Sequence, residues 1–300
     1  MLDVLINSLP IFVAIGLGKF FSDKKLLPAN ASTIISTLAF KLIGPFFVFN
    51  VLYGISIQNK NSYLFIEPLI VFFSVLVASF LAGKYLFKLK SKKLGAMILC
   101  LITFGAGSVY PFVDRNFSER IFQDFVIVDT FSFLIFLIVG SIIAFNFGKK
   151  KQIDIKEIVL RPFKDPFTLT MILTFLIVIF KIKVPSVIVE TSKFFKESFF
   201  LLASLLVGMG LKLPDRKIVF NLAKIYLFRT IFIICLIALL FSLNKAQIKP
   251  FYLVFLAKYS VMAVVYAKEQ GLDYQFASQL VLFSMIAELV FYPIIITVLQ

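Results

Sequence analysis

Three charged residues stand deep inside otherwise apolar sequence, and chemistry would have to begin with them: Asp129, Lys258 and Glu288. A charged group at the centre of a membrane helix costs about 2.5–3.5 kcal/mol on insertion scales, so such groups usually face a cavity or a partner. Asp129 and Glu288 could change protonation or coordinate an ion, which makes them candidates for proton or sodium coupling. The plainer reading is a structural ion pair with Lys258, Lys41 or Arg229. Lys258, within Leu256-Ala257-Lys258-Tyr259-Ser260-Val261, could hold an anion or act as a switchable charge. Its plainer reading is snorkelling to a nearby interface.

A second set of candidates is backbone. The segment Phe104-Gly105-Ala106-Gly107-Ser108-Val109-Tyr110-Pro111 puts two glycines and a proline in one apolar run, a composition that breaks a helix. A break frees carbonyls and a positive half-helix end for ions and anionic groups. The alternative is a tolerated kink or a close helix contact made by small residues. Gly105, Gly107, Ser108 and Pro111 are therefore candidate substrate-binding residues, together with Lys258, Tyr259 and Ser260. Ile43-Gly44-Pro45 and Gly208-Met209-Gly210 read as flexible points in the second and seventh apolar runs, with Pro45 able to line the same cavity.

Other chemistries are poorly served. The chain has no His, so a His-based triad is excluded, and Cys100 and Cys235 are isolated, so metal-site spacing is absent. Both cysteines read as small buried hydrophobes. No G-x-x-x-x-G-K-[ST] loop occurs, which argues against an ATP-driven pump. No catalytic residue, metal or cofactor is expected beyond a proton or sodium ion. The net charge of +15 would raise nucleic-acid binding in a soluble protein. Here the basic residues sit mostly between apolar runs, where they set membrane orientation, and no nucleic-acid partner is expected.

The elements that must position these residues are membrane helices. The 300 residues are 60% hydrophobic, with mean hydropathy +0.99, whereas soluble domains are about 45–50% apolar. Apolar runs fall at about 2–21, 33–53, 64–87, 95–113, 122–147, 167–182, 190–211, 218–243, 251–267 and 277–299. Helices satisfy their own backbone in lipid, so each run is read as one span, with 167–182 the shortest. The first run lacks a basic n-region and a small-residue cleavage site and reads as a retained helix. Odd-numbered loops carry twice the Lys and Arg of even-numbered ones, which predicts a multi-pass protein of the prokaryotic cell membrane with both termini outside.

The hydrophilic stretch near the middle divides the chain into a first five-helix repeat at 1–148, a basic cytoplasmic linker at 149–166 and a second repeat at 167–300. Five spans per half insert the second half upside down, the inverted repeat of many secondary transporters. Gly107-Ser108-Val109 in the fourth run is echoed by Tyr259-Ser260-Val261 in the ninth.

At these residues the chain resembles the auxin efflux carrier family, which includes bacterial permeases proposed for malonate and similar acids. The resemblance rests on Ala267-Lys268-Glu269-Gln270-Gly271-Leu272-Asp273 followed by Ala277-Ser278 and the apolar run to Pro293. It also rests on Leu9-Pro10-Ile11-Phe12 with Gly16, Gly18 and Leu26-Leu27-Pro28, and on Leu42-Ile43-Gly44-Pro45-Phe46-Phe47-Val48-Phe49. It implies an all-α membrane protein of ten transmembrane helices in two inverted five-helix repeats, like bile-acid symporters and sodium–proton antiporters. The fourth and ninth helices would be broken and would cross at the site. It further implies a scaffold part able to form a homodimer, and a mobile transport part. The chain departs from the family at the site. Phe104, Ala106 and Val109 stand where Asn, Gly and Gly are expected, Lys258-Tyr259 replaces a frequent Met-Pro, and Met262 replaces a frequent Asn.

The function expected is a secondary carrier that moves a small organic anion by alternating access, with membrane lipid as its other partner. A receptor or scaffold of the same fold that has lost transport is the alternative, suggested by the missing Asn residues. An intramembrane enzyme would have to work with Asp, Glu, Lys, Ser or Tyr alone.

Overall fold

A computed structural model describes residues 2–28, 30–54, 63–148, 163, 166–211, 218–242 and 248–300. Nearly all of the expected linker at 149–166 lies outside the described residues, as does the basic stretch 212–217. Among the described residues every regular element is helical.

The ten apolar runs all fall on helices, eight as single elements and two as split pairs. The first half contains α1 (Leu2–Asp23), α2 (Ala31–Tyr53), α3 (Tyr63–Leu86), the pair α4 (Ser91–Leu101) and α5 (Tyr110–Asn116), and α6 (Glu119–Phe147). The second half contains α7 (Pro166–Ile179), α8 (Ser186–Gly210), α9 (Val219–Ser242), the pair α10 (Lys249–Phe255) and α11 (Met262–Glu269), and α12 (Tyr274–Leu299). Six of these, α1, α2, α3, α6, α9 and α12, are long and apolar enough to cross a membrane. The 14-residue α7 is too short by that measure, and α8 carries Glu190, Lys193, Lys196 and Glu197 in its first half. Large apolar side chains such as Val13, Phe73, Val77 and Ile231 point outward, as they would toward lipid.

The helices sort into two bundles, each drawing on both halves. In one, α1 packs along α8, and α2 packs against α7 and α8. In the other, α6 packs against α3, α4 and α10, while α12 packs against α4, α9 and α11. An aromatic seam joins them: Phe47 of α2 stacks on Phe199 at 4.3 Å and lies 5.3 Å from Tyr110 of α5. Lys196 of α8 adds an ion pair to Asp114 of α5 at 2.6 Å.

Two sequence expectations are corrected here. Gly208 is not a flexible point, because α8 continues to Gly210 and Gly208 lies directly against the Ile15 backbone of α1. A β-carbon there would collide with the Ile15 carbonyl, and one at Gly18 would collide with the Leu205 carbonyl. These glycines allow close helix approach, the small-residue contact on which association in lipid relies. Gly208→Leu is expected to lower stability by about 3 kcal/mol, since backbone cannot yield as a side chain can. Thermal unfolding of the purified variant checks this.

At Ile43-Gly44-Pro45 the chain also stays helical. Pro45 has no N–H to return to the preceding turn, and Leu38–Ile43 widens into a π-helical turn before it. Gly44 faces the Phe167 ring of α7, where a β-carbon would be crowded at 2.7 Å.

Candidate functional site

The fourth and ninth apolar runs are each interrupted, and the two interruptions lie against each other. The first follows Leu101. Thr103 turns back, its N–H and its hydroxyl both donating to the Cys100 carbonyl, and a short 3-10 turn at Ala106–Ser108 follows. Pro111 then opens α5, in the first turn where its missing N–H leaves nothing unpaired. The second interruption, 256–261, contains neither glycine nor proline. It is held open from outside: the Lys258 N–H donates to Glu288 Oε1 at 2.8 Å, and the Tyr259 N–H donates to Ser284 Oγ at 3.0 Å.

Direct bonds join the two. The Gly105 N–H donates to the Lys258 carbonyl at 2.8 Å, and the Ser260 N–H donates to Thr103 Oγ1 at 3.2 Å. Unpaired backbone groups at membrane depth each cost several kcal/mol, so this pairing is what makes two breaks tolerable in one place.

Two buried charges complete it from opposite sides. Glu288, 4% exposed, takes donors: besides Lys258 N–H it accepts from the Ser108 hydroxyl at 2.9 Å. Arg229, 1% exposed, takes acceptors: it donates to the carbonyls of Leu101, Thr103 and Ala257. A carboxylate collects the free N–H and O–H groups while a guanidinium collects the free C=O groups.

Lys258 is the third buried charge. Its ammonium forms no hydrogen bond or ion pair among the described residues, although Glu288 acts on it through space. Gly105 makes room for it, since a β-carbon there would lie 3.0 Å from Lys258 Nζ and 3.2 Å from its carbonyl. Gly107, by contrast, has nothing within 4 Å of its β-carbon position. Gly105→Ala is therefore expected to cost about 1–3 kcal/mol, the usual penalty for forcing atoms into packed space. Gly107→Ala should leave the fold unchanged. Melting temperatures of the two purified variants would separate them, and equal melting would contradict the packing at Gly105.

Of the sequence candidates, the structure brings Gly105, Ser108, Lys258, Tyr259, Ser260 and Glu288 into one cluster, with Gly107 at its open edge and Pro111 just beyond. Asp129 does not join it; its carboxylate accepts from the Tyr110 hydroxyl at the start of α5. Pro45 is half-buried in α2 and makes no hydrogen bond or ring contact to either interruption. Lys41 is exposed and pairs with neither acid. Sequence reasoning missed Thr103, Ser284 and the carbonyl-binding role of Arg229, and it passed over two further buried acids, Glu67 of α3 and Asp124 of α6. A narrow recess between Thr103, Phe104, Ser260 and the α6 residues Ser132, Phe133 and Phe136 leaves no room for a water molecule. A larger cavity, about 410 Å³, lies farther along α9 and α12, lined by Lys93, Asn221, Ile225, Asp273 and Gln279. The Tyr226 ring, 5.8 Å from Phe283 and 6.1 Å from Tyr259, stands one residue past Ile225 on the way to the junction.

Six lipid-length apolar helices around a buried polar junction define an α-helical, multi-pass membrane protein. No family model matches the sequence. Over 161 residues the chain is 27% identical to an uncharacterized transporter of Methanocaldococcus jannaschii, and the match covers 51% of each chain. The chain thus spans about half the length of the curated relative it matches.

Proposed function

We propose that the protein is a secondary transporter for a small organic anion, and that it works by alternating access. The observation that carries this reading is Lys258: an ammonium buried to 8% exposure at the junction of two interrupted helices, without an acceptor of its own among the described residues. With Arg229 and Glu288 the junction holds two positive groups and one negative, so a single negative charge on a solute would balance it. Intramembrane charges without partners are expensive and mark solute or ion pathways. The Tyr259 hydroxyl, buried and without a hydrogen-bond partner among the described residues, offers a further hydrogen bond to such a solute. The description of a relative, 27% identical over about half of each chain, as an uncharacterized transporter points the same way.

The fold proposed is ten membrane passages in two inverted five-passage repeats. Exchange of the halves gives a simple support for it: α1 on α8 becomes α7 on α2, α10 on α6 becomes α4 on α12, and α3 on α6 becomes α9 on α12. Each of these packings occurs together with its image. The four-helix bundle of α1, α2, α7 and α8 would be the scaffold, and the bundle with both interruptions would be the moving part. Coupling through Glu288 or Asp129, a homodimer, and both termini outside belong to the same proposal, as does the resemblance to auxin efflux carriers.

Uptake of labelled mono- and dicarboxylates into proteoliposomes tests the reading. Accumulation driven by an imposed gradient supports it. If no organic acid moves under any gradient, it fails. Tight acid binding without flux would favour instead a receptor of the same fold.

A further inference from the structure

Arg229 sits where a bound cation would be expected, at two helix ends that both present carbonyls. Leu101 is the last residue of α4, and Ala257 lies two residues past the end of α10. Both half-helices therefore direct their negative ends at one point. Nε donates to the Leu101 carbonyl at 3.0 Å, and the two terminal nitrogens donate to Ala257 at 3.0 Å and Thr103 at 3.2 Å. The rings of Phe104 and Tyr259 flank the guanidinium at 5.0 and 4.8 Å. Among the described residues it forms no ion pair with a carboxylate. A guanidinium buried to 1% exposure is thus matched by main-chain oxygens and aromatic faces.

Unwound carbonyls and half-helix C-terminal ends are also the usual coordination site of sodium in transporters with broken helices. A sodium ion would need the same oxygens that Arg229 already occupies. Lysine could supply the charge, but its three donors sit on one compact nitrogen and cannot span carbonyls on two segments as the planar fork does.

We propose that Arg229 is a built-in cation for this junction: it takes the place of a bound sodium ion, so the two interruptions assemble without any monovalent cation. Arg229 is on this account a positioning residue, reaching solute only through the backbone it fixes. The claim about assembly does not depend on transport. Its corollary, solute movement indifferent to sodium, rests on the transporter reading above.

The test begins with thermal unfolding of the purified full-length protein in sodium, potassium and choline chloride at equal ionic strength. Equal melting temperatures are expected, and a sodium-specific rise would overturn the proposal. Arg229→Lys keeps the charge and Arg229→Gln keeps donors without charge. If the cation is what the carbonyls need, the lysine variant should melt above the glutamine variant, both below the parent by about 5–10 °C. A glutamine variant as stable as the lysine variant would reduce Arg229 to an ordinary hydrogen-bond donor and sink the idea. Should Arg229→Gln fail to fold while Arg229→Lys folds, the ordering is met. Failure of both leaves the salt comparison on the parent to decide. In proteoliposomes, replacing a sodium gradient by a potassium gradient should change uptake less than about twofold. Absence of all uptake would fell the transporter reading alone, because the melting comparisons need no flux.

Discussion

Glu288→Ala is expected to lower the stability of the protein by about 3–5 kcal/mol, the range seen when one partner of a buried charged network is removed. The loss has two sources. The buried Lys258 N–H loses its acceptor, and such an orphan costs about 1–3 kcal/mol, while the part-buried Ser108 hydroxyl keeps only the Gly105 carbonyl to donate to. Arg229 and Lys258 would also be left as two buried positive charges without a nearby negative one. Glu288→Gln should cost less, since an amide oxygen can still accept from Lys258 while its NH2 faces the Ser108 oxygen. Melting of the purified variants in detergent checks both. An alanine variant that melts within about 2 °C of the parent would mean that Glu288 does not hold the second interruption open.

That second interruption also shows where sequence reasoning reached its limit. Apolar runs of membrane length gave the helices, because lipid forces the backbone to pair within each segment. The first break was legible for a similar reason: Gly105, Gly107 and Pro111 carry their helix-breaking tendency within themselves. The segment 256–261 has no such residue, and its backbone leaves the helix because Glu288 and Ser284, some 25 to 30 residues later, offer better acceptors. Only Lys258 betrayed it, as a charge in an apolar run. Arg229 gives the same kind of signal from the middle of α9, and local sequence offers it only an acid as a partner. That three carbonyls would meet it depends on how α4, α9 and α10 pack, which no local pattern records. Gly208 is ambiguous in sequence for a related reason. A glycine that bends a helix and a glycine that lets another backbone approach look alike in sequence, and only the neighbouring α1 tells them apart.

Lys258→Met separates function from folding at the same junction. The methionine keeps most of the apolar stem that lies beside Gly105 and removes the charge. Because that charge has no partner of its own among the described residues, the closed protein loses no bond to it and should melt at or above the parent temperature. A charge-assisted hydrogen bond to a bound carboxylate is worth about 1.5–3 kcal/mol. Its loss should weaken acid binding roughly 10- to 150-fold. Lys268→Ala removes an exposed charge on α11 and should leave binding within about twofold of the parent. A binding assay with the three proteins, run beside their melting curves, distinguishes the cases. Weak binding with intact stability places the solute's negative charge at Lys258. Equal binding by Lys258→Met and Lys268→Ala would move the solute elsewhere. A destabilised Lys258→Met would mean that the ammonium serves the fold, with Glu288 acting on it across the junction as a structural partner.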